Sequence, residues 1–174
     1  MLSTSKRWAS MKSDGSYYST RIDLAPEVQV EIIEILNRTL ASTIDLWTQV
    51  NCAHWNVKGM QFFSLYQLFE QLAEQLNYFA TLVGERIVAL GGVALGTART
   101  AAQFSEIPDY RLSSREGQGY VLLLAEQMAV YARSVRSSIE IAQGLGEANT
   151  ADLYTEISRS TDKFLWMLEA HVQT

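Results

Sequence analysis

The chain has 174 residues, 48% of them hydrophobic, a formal net charge of -5, two prolines and one cysteine. This is about one domain of chain with enough apolar material for one core, and its acidic balance argues against whole-surface attraction to nucleic acid or an anionic membrane. Cys52, being alone, excludes an intrachain disulfide framework and fits a reducing compartment, while the absence of a signal-like or membrane-spanning apolar run predicts a cytoplasmic protein with no membrane partner.

Residues 1–23 are rich in Ser, Thr, Lys and Arg and lack periodicity, so they read as a flexible tail, with 24–174 as a single domain. Pro26 suits the first position of a helix. From there Ile33, Leu36, Leu40, Ile44, Trp47, Asn51 and His54 recur at spacings of three and four and predict one inward face of a long helix. After the turn at Asn56 to Gly59, the residues Leu65, Leu68, Leu72, Leu76, Phe79, Val83, Ile87 and Leu90 define a second helix, stopped by Gly91 and Gly92. The first two helices should pack antiparallel.

Gly96 to Tyr110 is too long for a tight connection and contains TARTAAQF, a short helical segment, so the second and third helices should be joined by a crossover. Ser113 with Glu116 forms a capping box before the third helix, marked by Val121, Leu124, Met128, Tyr131 and Val135 and ended by Gly144 and Gly146. Asn149 is placed to cap the last helix, whose apolar face runs through Leu153, Ile157, Phe164 and Leu168 to His171. The expected fold is all-α, a ferritin-like four-helix bundle with a short helix in the long crossover between the second and third helices.

The chemistry-bearing residues are few. His54, beside Trp55, closes the first helix, and Glu70 and Glu85 lie on the second. A single histidine on an inward face is ordinarily a hydrogen-bonded core residue, and the ligand reading stands beside that one. Glu70 and Glu85 are fifteen residues apart, about 23 Å along a helix. They can share a compact site only if different subunits supply them. Asp152 and Glu156, one turn apart, and the nearby Glu147 read either as a solvated acidic face or as carboxylates that focus negative potential on a cation path. His171 reads as the end of its helix, where imidazole meets the last carbonyls, with a ligand role as the alternative. Trp47, Trp55 and Trp166 read mainly as packing residues, with electron donation near an oxidation site as the other role, and Cys52 as a buried small residue beside the site.

The segment AHWNVKGMQFFSLYQLFEQL, the GERIVALGGVALGT run and the terminal TDKFLWMLEAH resemble, in order, the signature blocks of the Dps family of miniferritins. The resemblance extends from about Leu24 to the C-terminus. It implies a hollow homododecamer that oxidises ferrous iron, usually with hydrogen peroxide, and stores the ferric product; some members also bind DNA. It also implies a ferroxidase centre at a two-fold subunit interface, with His54 and Glu70 on one side and Glu85 on the other. Two family ligands are changed: Tyr66 stands at the second histidine position and Thr81 at the aspartate position. A neutral hydroxyl is a poor ligand for a dication and a phenol must be deprotonated to ligate at all, so a weakened or relocated site for iron, or for another divalent metal, is expected. The resemblance further implies a three-fold pore lined near Asp152, Glu147 and Glu156. Lys6, Arg7, Lys12 and Arg21 in the tail, set against Asp14 and Asp23, offer DNA phosphates a contact that is weak in one tail and multiplied over a shell, but the acidic balance of the rest of the chain disfavours DNA as a partner. The competing reading is a DNA-compacting or structural shell with little ferroxidase activity.

Overall fold

The computed structural model describes residues 17–111 and 116–173. Among them the chain forms five helices and no strands: α1 (Pro26–Asn56), α2 (Phe62–Ala89), the short α3 (Ala98–Phe104), α4 (Gly117–Gly144) and α5 (Ala148–Ala170). The pairs α1–α2 and α4–α5 pack most extensively, α1 also packs on α4, and α3 lies against α1. The result is a four-helix bundle with the expected short helix in its crossover. The helices of 31, 28, 28 and 23 residues span roughly 35 to 47 Å.

Two of the four predicted apolar stripes are buried throughout: all eight named positions of the second stripe and all five of α4. On α5 Ile157, Phe164 and Leu168 are buried, while Leu153 and His171, the two ends of the expected stripe, are half-buried. In α1 the reading is corrected. Ile33, Leu36 and Leu40 are buried, but Trp47 is 36% exposed and Ile44, Asn51 and His54 are only half-buried. The inward line instead runs through Thr39, Thr43, Leu46, Val50, Ala53 and Val57. Two threonines disguise it in the sequence, and the structure shows how they are accommodated. Thr39 Oγ1 donates to the Ile35 carbonyl at 3.1 Å and lies 2.9 Å from the Tyr154 hydroxyl. Thr43 Oγ1 donates to the Thr39 carbonyl at 2.7 Å and lies 2.7 Å from the Tyr131 hydroxyl. With both threonine protons spent on backbone carbonyls, the two tyrosines donate to the threonine oxygens. Burial pushes the titration of Tyr131 and Tyr154 far above the ordinary phenol value, so both stay neutral donors.

The glycine stops act as expected. Gly91 has φ of 78° and its N–H donates to the Val88 carbonyl, while Gly92 N–H donates to Ile87. This paired pattern closes a helix on a left-handed residue. Gly91 does a second job: its carbonyl accepts from Tyr18 N–H at 2.8 Å, which seats the chain preceding α1 against the end of α2.

Two expected caps differ. The N-cap of α5 is Glu147, two residues before Asn149, and its carboxylate accepts from the backbone N–H groups of Asn149 and Thr150 at 3.3 and 2.7 Å. A charged acceptor aimed at two unpaired helix donors outcompetes a neutral amide further in. Ser113 of the expected capping box lies outside the described residues, and Glu116, expected inside the helix, is the N-cap of α4.

Candidate metal site

His54 sits in the last turn of α1, whose partial negative charge suits a cation or a bound metal. Its Nδ1 lies 3.1 Å from the Tyr66 backbone carbonyl on α2. A carbonyl accepts only, so Nδ1 carries a proton, which in the neutral ring leaves the lone pair on Nε2. Metal-binding imidazoles are oriented in this way, by giving their other N–H to a carbonyl or carboxylate. The Tyr66 ring packs over the His54 ring at 4.1 Å between centroids, tilted by 34°. Its other ring neighbour is Phe62, at 5.5 Å. Tyr66 is therefore held as a packing partner of the histidine.

His54 opens onto a shallow groove of about 340 Å³ between α1 and α2, lined by Trp47, Asn51, Trp55, Glu70, Ala73, Glu74 and Asn77. A second groove of about 360 Å³ continues along the same helices past Leu40, Ile44, Ala80, Thr81, Gly84, Ala94 and Gly96, sharing Trp47 and Asn77 with the first. The structure thus brings His54 and Glu70 to one end of a continuous trough and Thr81 towards the other. The Thr81 hydroxyl donates to the Asn77 carbonyl of its own helix at 3.2 Å. Glu85 is exposed one turn beyond Thr81. Among the described residues no three His, Cys, Asp or Glu side chains converge as a metal-binding group. One subunit alone therefore presents half-sites.

Glu74, Asn51 and Asn77 enlarge the polar lining beyond His54 and Glu70. In the sequence Asn51 reads only as part of an inward stripe, and no motif marks Glu74 or Asn77. The signal that finds them is a polar face on α2, with Glu70, Glu74, Asn77, Thr81 and Glu85 spaced by four, three, four and four residues, every one exposed.

The other candidates lie elsewhere. Glu147 is only 4% exposed and its Oε1 pairs with Arg86 Nη2 at 3.0 Å, tying the N-terminus of α5 to α2. Burial alone would raise its pKa, but hydrogen bonds from Thr150 and Arg86 outweigh that and hold it below the ordinary carboxylate value. Asp152 and Glu156 are exposed on α5. His171 is the C-cap of α5, with Nδ1 2.7 Å from the Met167 carbonyl, and does not line the trough. Cys52 is half-buried and faces a different groove, lined also by Asp45, Thr48, Gln49, Asp109 and Tyr110, which corrects the reading of it as a buried residue beside His54. Trp166 is 61% exposed on α5, away from the trough. Of the tail cations, Arg21 is exposed, and Lys6, Arg7 and Lys12 lie outside the described residues. Among the described residues no helix is long and apolar enough to cross a membrane.

Residues 33–174 match the Ferritin family model, a ferritin-like domain. A DNA protection during starvation protein from Agrobacterium fabrum is 36% identical over 156 residues, covering 90% of this chain and 96% of that protein. DpsA14 from Streptomyces coelicolor superimposes with a TM-score of 0.86 at 26% identity, over 91% of this chain and 94% of the other. A Dps protein from Vibrio cholerae O1, described as a member of a broad superfamily of ferritin-like diiron-carboxylate proteins, gives a TM-score of 0.82 at 23% identity, over 90% and 98% of the two chains. The bundle with its crossover helix, the sequence blocks around His54 and Glu85, and these matches agree, and the chain belongs to the Dps family of ferritin-like proteins.

Proposed function

We propose that this protein assembles as a hollow dodecamer that takes up ferrous iron, oxidises it at subunit interfaces and stores the ferric product, with a ferroxidase centre altered from the family pattern. The observation that carries the reading is His54. Its Nδ1 is committed to a backbone carbonyl, which leaves Nε2 as the ring's ligating nitrogen, and His54 and Glu70 line the same groove, which a single chain leaves open. Imidazole nitrogen with carboxylate oxygen is a donor set that suits ferrous iron. Assembly is supported by exposed apolar side chains on the two helices that form the trough: Trp55 on α1 is 74% exposed, and Phe63, Val88 and Tyr78 on α2 are 67, 59 and 48% exposed. Aromatic surface of this extent is characteristic of a contact face.

Each ferrous ion gives up one electron. With hydrogen peroxide as oxidant, two ferrous ions and two protons convert one peroxide to two waters, so no one-electron peroxide fragment is released. In this chain His54 and the carboxylates would hold the iron, and Trp47 and Trp55 line the groove where a stray oxidising equivalent would first meet protein. Asp152 and Glu156, exposed on α5, would draw cations towards a three-fold pore, whereas Glu147 is engaged in capping and pairing.

The test is a crystal soaked anaerobically with ferrous iron and measured at the iron absorption edge, together with light scattering. We expect anomalous density beside His54 Nε2 and a particle of about twelve 19.5 kDa chains, roughly 230 kDa. A stable monomer, or iron found only away from His54, would overturn the proposal. A second reading, a DNA-compacting or structural shell, is favoured by one specific observation: Thr81 gives its hydroxyl proton to its own helix and Tyr66 is packed on His54, so neither is arranged as a ligand. Under that reading the iron edge shows no ordered site, and DNA retention depends on the tail cations and falls steeply with salt.

A further inference from the structure

We propose that the basic N-terminal segment, residues 1–16, which lie outside the described residues, docks on its own chain in the groove between the start of α1 and the end of α4. The groove has a volume of about 740 Å³. Its apolar lining comes from Val30 and Ile35 of α1 and from Ile141 of α4, a large aliphatic side chain left 37% exposed. Glu27, Glu31 and Glu34 rim it from α1, spaced by four and three residues. Glu34 is paired with Arg38 at 2.7 Å. Among the described residues Glu27 and Glu31, both exposed, have no hydrogen bond or ion pair. The occupant that suits this groove brings apolar side chains to its floor and positive charge to its rim.

Residues 1–16 carry both. Lys6, Arg7 and Lys12 stand against the single Asp14, with Trp8 and Met11 among them. The described chain also begins beside the groove. Tyr18 N–H donates to the Gly91 carbonyl at 2.8 Å, and Gln29, the neighbour of Val30 on α1, donates its side-chain amide to the Leu90 carbonyl. From Lys12 to Tyr17 is five residues of chain, a reach of up to about 18 Å. That exceeds the ~10–12 Å width of a helix, so the segment can pass from its anchor around α1 into the groove. The rim from Glu27 to Arg38 is eleven residues of helix, about 17 Å, and Lys6 to Lys12 in extended form covers about 20 Å. Because an extended chain alternates its side chains, Lys6, Trp8 and Lys12 would face the groove together, the indole towards the floor and the lysines towards the rim. Ion pairs formed over a partly apolar surface are screened less than pairs in open water. The tail cations are thereby occupied within the chain, and an external polyanion meets them only after displacing the segment.

The experiment uses the full-length assembled protein. A carbodiimide joins a lysine amine directly to a carboxylate in contact with it, and mass spectrometry of the digest locates the link. At low salt we expect links from Lys6 or Lys12 to Glu27 or Glu31, reduced about fivefold or more at roughly 0.5 M NaCl. Links only to carboxylates outside the groove, or none, overturn the proposal. Shells assembled from a mixture of ¹⁵N-labelled and unlabelled chains identify whose tail is bound: links within one isotopic form support the own-chain contact, and links between forms in the proportion of random mixing overturn it. Tryptic cleavage after Lys12 is the second readout. It should be about fivefold faster in Glu27→Gln/Glu31→Gln than in the native protein at low salt, with the difference lost at high salt. Equal rates at low salt would overturn the docking. Should the double variant fail to assemble, the links in the native protein decide alone.

Discussion

Replacing Glu147 with alanine should cost the fold more than any other single change to an acidic residue of α5 or its cap. The Glu147 side chain is 5% exposed and its Arg86 partner 17%. The carboxylate also holds the Asn149 and Thr150 N–H groups, and Arg86 Nε donates to Thr150 Oγ1 at 3.1 Å. Removing an N-cap costs about 1 kcal/mol. Breaking a buried ion pair by removing one partner costs roughly 3–5 kcal/mol, because the remaining charge stays desolvated. The two overlap, since the same carboxylate does both jobs, so about 4 kcal/mol is the expected total. For a chain of this size that lowers Tm by about 8–16 °C, read by calorimetry at fixed protein concentration. The pH dependence follows from the sign of the shift. The folded pKa is below the ordinary 4.5, so Glu147 contributes its full stabilisation above that value and loses it as pH falls towards the folded pKa. Glu147→Gln should therefore melt lower than the native protein at pH 7 and show a smaller difference in acid. A Glu147→Ala protein that melts within 2 °C of native would refute the assignment of Glu147 to the frame and return it to the pore.

Three further outcomes follow from the same structure. Asp152→Asn with Glu156→Gln should leave Tm within about 1 °C, because both groups are exposed, while slowing iron uptake measured by stopped-flow absorbance; unchanged uptake would place the cation path elsewhere. Thr43→Val leaves the buried Tyr131 hydroxyl without its 2.7 Å partner and should cost about 1–3 kcal/mol; the double change with Tyr131→Phe should cost less than the two singles added, and strict additivity in denaturant titrations would contradict the pairing. At Gly91 an added Cβ would lie 2.2 Å from the Tyr18 carbonyl at φ of 78°, so Gly91→Ala should lower Tm and expose residues 17–23 to limited proteolysis.

The sequence made the bundle legible where burial and apolarity coincide. In α2 and α4 every position of the apolar stripe is buried, and Gly91 and Gly146 both stand at positive φ where helices end. Reading failed where polar residues line the core. Thr39 and Thr43 interrupt the inward stripe of α1, so the apparent apolar line passes through Ile44, Trp47, Asn51 and His54, one position further round the helix and facing the trough. Their burial depends on Tyr131 and Tyr154, residues 88 and 115 positions away. No local pattern carries that information. The cap at Glu147 was hidden for the same reason, since its advantage over Asn149 includes Arg86, which arrives from α2.

The site was half legible for a different reason. A motif registers what stands at each ligand position: His54, Glu70 and Glu85 match it, and Tyr66 and Thr81 count as losses. Geometry is outside its reach. His54 and Glu70 line one groove, whereas Glu85 is exposed one turn beyond Thr81 and lines neither half of the trough. Fifteen residues of helix separate Glu70 from Glu85, so only a second copy of α2 can bring them to one ion. Substitutions at Glu70 and Glu85 should accordingly be coupled in Co²⁺ binding by the assembled protein and independent of those at Asp152 and Glu156, which lie on a different helix; strictly additive effects at positions 70 and 85 would contradict a shared site.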